Sequence, residues 1–253
     1  MSDPSLPPPP HNEPVRTYAP GSPERAALKA ELDRMRGEVA DIPMVIGGAE
    51  IRTSSQLEVR SPHDKQLLLG HAHQGSAEHA ERAIRAALGA RSAWSSMPQR
   101  ERAAIFLRAA ELAATTWRAR LNAATMLGQS KTAYQAEIDS ACELIDFWRF
   151  NAHYASNLVE PLVQAPNTWN RMEPRPLEGF VAAITPFNFT AIAGNLPPAP
   201  AMLGNTVVWK PSPLALRSAH VVMSLLREAG LPDGVINLVM GPAEEILGVC
   251  LDS

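Results

Sequence analysis

Hydrophobic and polar positions along the chain fall into three textures. Residues 1–20 carry no periodic apolar pattern and read as a disordered, proline-rich tail. Residues 21–160 read as a helical and β-hairpin region, and residues 179–253 alternate short apolar runs with helical stretches. Ser22-Pro23-Glu24 has a capping hydroxyl, a proline at the first helical position and an acid in the first turn, so it starts a helix expected to reach about Val39. Short strands are expected between Ile42 and Val59 around Gly47-Gly48, and another over Gln66–His73. Ser76 is expected to cap a helix ending near Ala93. Pro98 opens a longer helical stretch, striped by Ile105, Ala109, Leu112 and Ala113, that Gly128 stops or bends.

The most regular pattern predicts a helix from about Thr132 to Ala155, where Tyr134, Ile138, Ala141, Ile145 and Trp148 recur at alternating steps of four and three. At about 100° per residue, Asp139, Glu143 and Asp146 fall on its far side. Glu137 instead falls beside Trp148, Ala141 and Leu144, at the edge of the apolar face. It is either a rim carboxylate reaching water or an arginine, or an acid aimed into a site to meet a cation.

Beyond Pro161 the pattern predicts an edge strand over Trp169–Arg175 and a buried parallel strand over Phe180–Ile184. A proline-kinked helix over Thr190–Leu203, a strand over Thr206–Trp209 and a helix over Leu216–Ala229 come next. A strand over Val235–Met240 and a helix from Ala243 complete the series, and this alternation is that of parallel βαβ units.

Composition narrows the function classes. The 253 residues carry 23 basic and 26 acidic side chains, a net charge of -3, which offers no basic surplus for nucleic acid. The 31 uncharged residues between Glu178 and Lys210 exceed a membrane span in length, yet Pro186, Pro197, Pro198 and Pro200 would break a spanning helix. No membrane partner is expected. Two cysteines without CxxC spacing suit a reducing compartment, the cytoplasm or, in a eukaryote, the mitochondrial matrix, although no clear transit peptide is present.

Candidate chemistry sits where predicted strands lead into helices, the place ligands occupy in open α/β sheets. After the Phe180–Ile184 strand comes Thr185-Pro186-Phe187-Asn188-Phe189. Asn188 either donates to a developing oxyanion or caps the helix after it. Lys210, after the next strand, either reaches a ribose or phosphate or is a solvated strand-end lysine. No GxGxxG, P-loop, GxSxG or HExxH is present. His71, His73 and His79 lack a convergent acid or thiol, so no metal is expected. Cys142, flanked by acids, and Cys250, without a histidine partner, look unlike nucleophiles.

ITPFNF, APAMLGNTVVWKPSP and GLPDGVINLVMG resemble the aldehyde dehydrogenase superfamily. NEPV at Asn12, GSPER at Gly21, GQSKT at Gly128, QAEID at Gln135, ELIDFWRFNAHYA at Glu143 and LEGFVAAITPFNFTAI at Leu177 narrow the resemblance to its pyrroline-5-carboxylate dehydrogenase family, covering nearly the whole chain after the tail. The resemblance implies NAD-dependent oxidation of glutamate γ-semialdehyde to glutamate in proline catabolism. It implies an incomplete Rossmann-like parallel sheet at 179–253, an oligomerisation flap at 161–178 and a homo-oligomer. It makes Asn188 the oxyanion-stabilising residue, Thr185, Pro186 and Phe187 the loop lining NAD, and Lys210 and Ser212 the ribose contacts. It sets Phe189 against the substrate's aliphatic chain and Glu137 against its ammonium. Pro213 stands where many members carry an acid. The family's glycine-containing loop, general-base glutamate and nucleophilic cysteine are expected beyond Ser253, so the chain alone is expected to be inactive, with an apolar sheet edge exposed. A non-catalytic nucleotide-cleft or interaction module, or an aldehyde dehydrogenase of other specificity, are the alternative readings.

Overall fold

The structure, a computed structural model, describes residues 9–158 and 165–253. Residues 1–8 of the tail and 161–164 of the expected flap lie outside the described residues. Ser22 Oγ accepts from Arg25 N at the start of α1 (Pro23–Gly37). Strands β1 (Ala40–Ile42), β2 (Met44–Ile46), β3 (Ala49–Ile51), β4 (Gln56–Ser61) and β5 (Asp64–His73) succeed it. Gly47 and Gly48, at φ 58° and 79°, form the β2–β3 turn; two consecutive left-handed residues are what a tight hairpin with the native twist demands.

Helix α2 (Ala77–Ser96) is followed by α3 (Gln99–Ala114) and α4 (Arg118–Gln129). The single long stretch expected from Pro98 is thus broken around Thr115–Trp117, ahead of Gly128. Next come α5 (Ala133–Ala136), a π-helical segment (Glu137–Glu143) and α6 (Leu144–Asn157). The C-terminal part holds β6 (Val181–Ile184), α7 (Thr190–Asn195), α8 (Pro198–Met202), β7 (Val207–Lys210), a 3₁₀ turn (Pro213–Ala215), α9 (Leu216–Glu228), β8 (Ile236–Leu238) and α10 (Ala243–Leu251). The expected kink at Pro197-Pro198 separates α7 from α8 while Leu196 and Pro197 keep helical dihedrals.

Two sheets organise these elements. One has the order β1-β5-β4; the other runs β3-β2-β8-β7-β6, with β6, β7 and β8 parallel and the β2–β3 hairpin added antiparallel to β8. The Rossmann-like βαβ pattern is therefore present, and its sheet also takes two strands from the region before residue 160. β6 forms one edge. The expectation that this strand is buried on both faces fails: Ala182 is exposed and Ile184 is 51% exposed, because among the described residues no further strand or helix covers it. The edge strand expected over Trp169–Arg175 is absent too. Neither sheet includes it, and Trp169 is 79% exposed; an extended segment without a neighbouring strand has no ladder to join.

Three fully buried tryptophans connect the layers, each donating its indole N–H as buried tryptophans generally must. Trp94 of α2 donates to Ala201 O (2.8 Å), Trp148 of α6 to Gly194 O (3.2 Å) and Trp209 of β7 to Thr185 Oγ1 (2.9 Å). Helix α7 approaches α6 so closely that a Cβ on Gly194 would lie 2.8 Å from Leu144 Cδ1. Among the described residues no helix is long and apolar enough to cross a membrane.

Candidate active site

The carboxyl ends of β6 and β7 lie side by side. Ile184 pairs with Lys210, and Thr185 N donates to Lys210 O at 3.2 Å. Thr185 is buried, its hydroxyl accepting from Trp209, which fixes where the chain leaves the sheet. Pro186 is half-buried, while Phe187, Asn188 and Phe189 are exposed. Asn188 makes no side-chain hydrogen bond among the described residues, and the residue flanking α7 is Phe189, extended at φ −136° with no side-chain cap. The alternative role of Asn188 as helix cap is therefore not what the structure shows.

The cap comes from a distant residue. Asp139 accepts from Thr190 N (Oδ2, 3.0 Å) and Ala191 N (Oδ1, 2.8 Å), and Lys131 Nζ pairs with the same carboxylate at 2.5 Å. Lys131 also lies 4.3 Å from the centre of the Phe189 ring. Asp139 is 2% exposed, against the expectation that it faces away from the core. The π-helical segment explains the difference. Its i→i+5 closure advances each residue by less than an α-helical step, so positions inside it leave the faces that a uniform 100° progression assigns. Tyr134, expected on the buried stripe, is exposed, and Ile138 is half-buried, whereas Ala141, Ile145 and Trp148 are buried.

Two clefts meet at Asn188. The smaller, of about 410 Å³, is lined by Lys131, Tyr134, Gln135, Ile138, Asp139, Glu143, Asn188 and Phe189. The larger, of about 640 Å³, joins Asn188, Phe187 and Lys131 to Gln129, Pro213 and the β4 strand. Glu143, also expected on the far side of its helix, is half-buried in the smaller cleft and makes no direct ion pair or hydrogen bond among the described residues, although Lys131 lies close enough in the same cleft to draw its carboxyl down. Burial, with Asp139 nearby, raises its carboxyl above the ordinary glutamate value.

Glu137 lies elsewhere and lines neither cleft. It is fully buried, and Arg118 grips both its oxygens while Tyr18 Oη (2.6 Å), Asn122 Nδ2 (2.8 Å) and Arg16 N (2.8 Å) donate to them. Burial alone would raise this carboxyl, but those donors outweigh it and hold it below the ordinary value. The cation that Glu137 meets is Arg118, so its expected contact with a substrate ammonium has no geometric support. The acid in the cleft is Glu143, within the ELID segment; the α-helical register concealed it, although a second acid six residues on was visible in the sequence.

Lys210 is only 7% exposed, and among the described residues its Nζ donates one hydrogen bond, to Pro211 O at 3.4 Å. Burial lowers its pKa. Ser212 is half-buried and its Oγ accepts from Leu214 N (3.3 Å), capping the 3₁₀ turn. Neither cysteine lines these clefts. Cys142 is buried next to Glu137, and burial with that negative charge pushes its thiol up to about 12, while burial also raises that of Cys250. Among the described residues no group of three His, Cys, Asp or Glu could hold a metal, and His73 is bonded to Asp41 and Thr53.

Residues 51–252 match the aldehyde dehydrogenase family. The chain is similar to the delta-1-pyrroline-5-carboxylate dehydrogenase of Agaricus bisporus, 52% identical over 94% of this chain and 44% of that protein. The mitochondrial delta-1-pyrroline-5-carboxylate dehydrogenase of Emericella nidulans is 50% identical over 95% of this chain and 42% of its own length. Among solved structures, the Mycobacterium tuberculosis delta-pyrroline-5-carboxylate dehydrogenase bound with NAD superposes with a TM-score of 0.97 at 50% identity, covering all of this chain and 48% of that one. The chain thus spans less than half the length of these relatives. The strand-end loop carrying Asn188, the βαβ sheet beneath it and the match over residues 51–252 agree: the chain belongs to the aldehyde dehydrogenase family.

Proposed function

We propose that this chain supplies the oxyanion donor, the substrate-orienting cleft and part of the nucleotide site of an NAD-dependent L-glutamate γ-semialdehyde dehydrogenase, acting on the open form of pyrroline-5-carboxylate in proline catabolism. The observation that carries this reading is the cleft in which an unbonded Asn188 amide, the Phe189 ring and an unpaired Glu143 carboxylate face one space. An aldehyde that also bears an ammonium is complementary to that set. Asn188 N–H groups stabilise the oxygen as it gains negative charge, Phe189 contacts the aliphatic chain, and Glu143 receives the ammonium.

The residues present also fit NAD. Lys210 is a buried, unpaired cation at the carboxyl end of a parallel strand, where α/β sheets bind nucleotides, and a ribose hydroxyl or phosphate would satisfy it. Ser212 lies two residues on, and Thr185, Pro186 and Phe187 form the adjoining strand-end loop. When bound, NAD supplies the hydride acceptor. Neither Cys142 nor Cys250 is placed or ionised to attack an aldehyde, so this chain alone should show no turnover. The similarity to dehydrogenases from Agaricus bisporus and Mycobacterium tuberculosis supports the substrate class. The exposed Trp169 segment is assigned to contacts within a homo-oligomer, and the compartment to the cytoplasm or the mitochondrial matrix.

Two measurements test this. NAD should quench the fluorescence of Trp209, which lies directly beneath Thr185, in this chain alone. A full-length dehydrogenase carrying these residues should form NADH, followed at 340 nm, from pyrroline-5-carboxylate. NAD binding without turnover by the full-length protein would shift the reading to a non-catalytic nucleotide module, and turnover confined to aldehydes lacking an ammonium would shift it to another specificity.

A further inference from the structure

We propose that Asp139, with Lys131, is the positioning residue that holds the Asn188 loop in its productive geometry; the proposal rests on the dehydrogenase reading above. The loop from Thr185 to Phe189 is exposed over its last three residues, and Asn188 has no bond of its own to fix it. The loop runs into α7, a six-residue helix too short to be stable by itself, whose flanking residue Phe189 offers no side-chain oxygen. Left alone, the first N–H groups of α7 would be unsatisfied and the loop free to wander.

Asp139 resolves both problems from another part of the chain. Its two oxygens each take one backbone N–H, those of Thr190 and Ala191, the first two residues of α7. Charge-assisted bonds of this kind are stronger than neutral ones and are directional. Lys131 completes the clamp by pairing with Asp139 while its ammonium sits against the Phe189 ring, so residues 189, 190 and 191 are all tied to one ion pair. Asn188 is the next residue back. The π-helical segment makes the contact possible by turning Asp139 inward, and the buried Glu137–Arg118 pair anchors the start of that segment.

Asp139 touches no reacting atom in this arrangement; it acts through Asn188. Displacing a catalytic group by about 1 Å costs on the order of 100-fold in rate, so an effect of this size on kcat is expected from Asp139→Ala. Affinity for NAD should stay within about threefold, because Lys210 is held by β7 rather than by the clamp, and KM for the semialdehyde should change less than kcat. Asp139→Asn retains an acceptor oxygen without the charge and should fall between Asp and Ala in kcat, whereas a merely structural defect would weaken NAD binding and lower kcat together.

A readout independent of turnover accompanies the kinetics. In this chain, nuclear magnetic resonance should show the Thr190 and Ala191 amide protons downfield and slow to exchange, moving upfield and exchanging at least about tenfold faster in Asp139→Ala and less so in Asp139→Asn. If Asp139→Ala does not fold, Asp139→Asn and Lys131→Met carry the same test. Unchanged Thr190 and Ala191 amides would overturn the proposal, as would altered amides with kcat reduced less than about threefold. If the unsubstituted full-length enzyme does not oxidise the semialdehyde, the functional reading fails, and the amide measurement still judges whether Asp139 holds the loop.

Discussion

Arg118 closes on both carboxylate oxygens of Glu137, and the pair is sealed by an N-terminal segment that crosses over it. Tyr18 and the Arg16 backbone donate to Glu137, while the Glu13 carboxylate and the Pro14 carbonyl each accept a further bond from the Arg118 guanidinium. Arg149 holds the other oxygen of Glu13, and Asp146 binds Asn12 and the Glu13 amide. The polar network thus joins residues 12–18 to α4, the π-helical segment and α6.

Removing one partner of a buried pair strands the other, at a cost of about 3–5 kcal/mol. Glu137→Ala or Arg118→Ala should therefore lower stability by about that amount in urea unfolding. The Glu137 carboxyl is held below its ordinary value of 4.5, so its contribution is complete above pH 4.5 and is lost as pH falls through the depressed folded value. Wild-type stability should drop across that acid window and the drop should be smaller in Glu137→Gln. An unchanged unfolding midpoint in both alanine variants would contradict this assignment.

Glu143→Gln should behave differently, because its side chain has no partner to strand. A hydrogen bond to a charged group is worth about 1.5–3 kcal/mol, so KM for the amino-semialdehyde should rise about tenfold to a hundredfold, with kcat little changed. Kinetics on a straight-chain aldehyde without an ammonium should be nearly unaffected, and an equal loss on both substrates would remove Glu143 from the specificity site.

Loss of one oxyanion donor costs about 10²–10³ in kcat, the effect expected for Asn188→Ala in a full-length dehydrogenase carrying these residues. Since Asn188 is exposed and makes no side-chain bond, thermal unfolding should shift by no more than about 0.5 kcal/mol. A kcat loss below about threefold would argue against its role.

Among the described residues no acid pairs with the buried ammonium of Lys210. Its folded pKa lies below the ordinary 10.5, so the unfolded chain binds the extra proton, and stability should rise with pH between the lowered value and 10.5. Lys210→Met should remove that rise and weaken NAD by about tenfold to a hundredfold, the scale of a lost charge-assisted bond. Calorimetric titration with NAD measures the second effect, and unaltered affinity would dismiss Lys210 as a cofactor contact.

Much of this molecule is written locally. Ser22-Pro23 starts α1, Gly47-Gly48 turns the hairpin, Pro197-Pro198 parts α7 from α8, and the short apolar runs became β6, β7 and β8 within a residue or two. Each depends on dihedral preference or on the spacing of apolar side chains over a few residues, which sequence order alone conveys. The Asn188 loop and Lys210 were legible for the same reason, as strand ends leading into helix starts. Tertiary structure decided where the acids face. Glu137, Asp139 and Glu143 lie within one turn and a half of helix, yet one is sealed by Arg118, one caps α7 and one is left in the cleft. A π-helical segment is set by packing between α4, α6 and α7 rather than by residue preference, and it changes the angle between successive side chains. The absent Trp169 strand obeys the same logic, because a strand exists only where another strand accepts its hydrogen bonds.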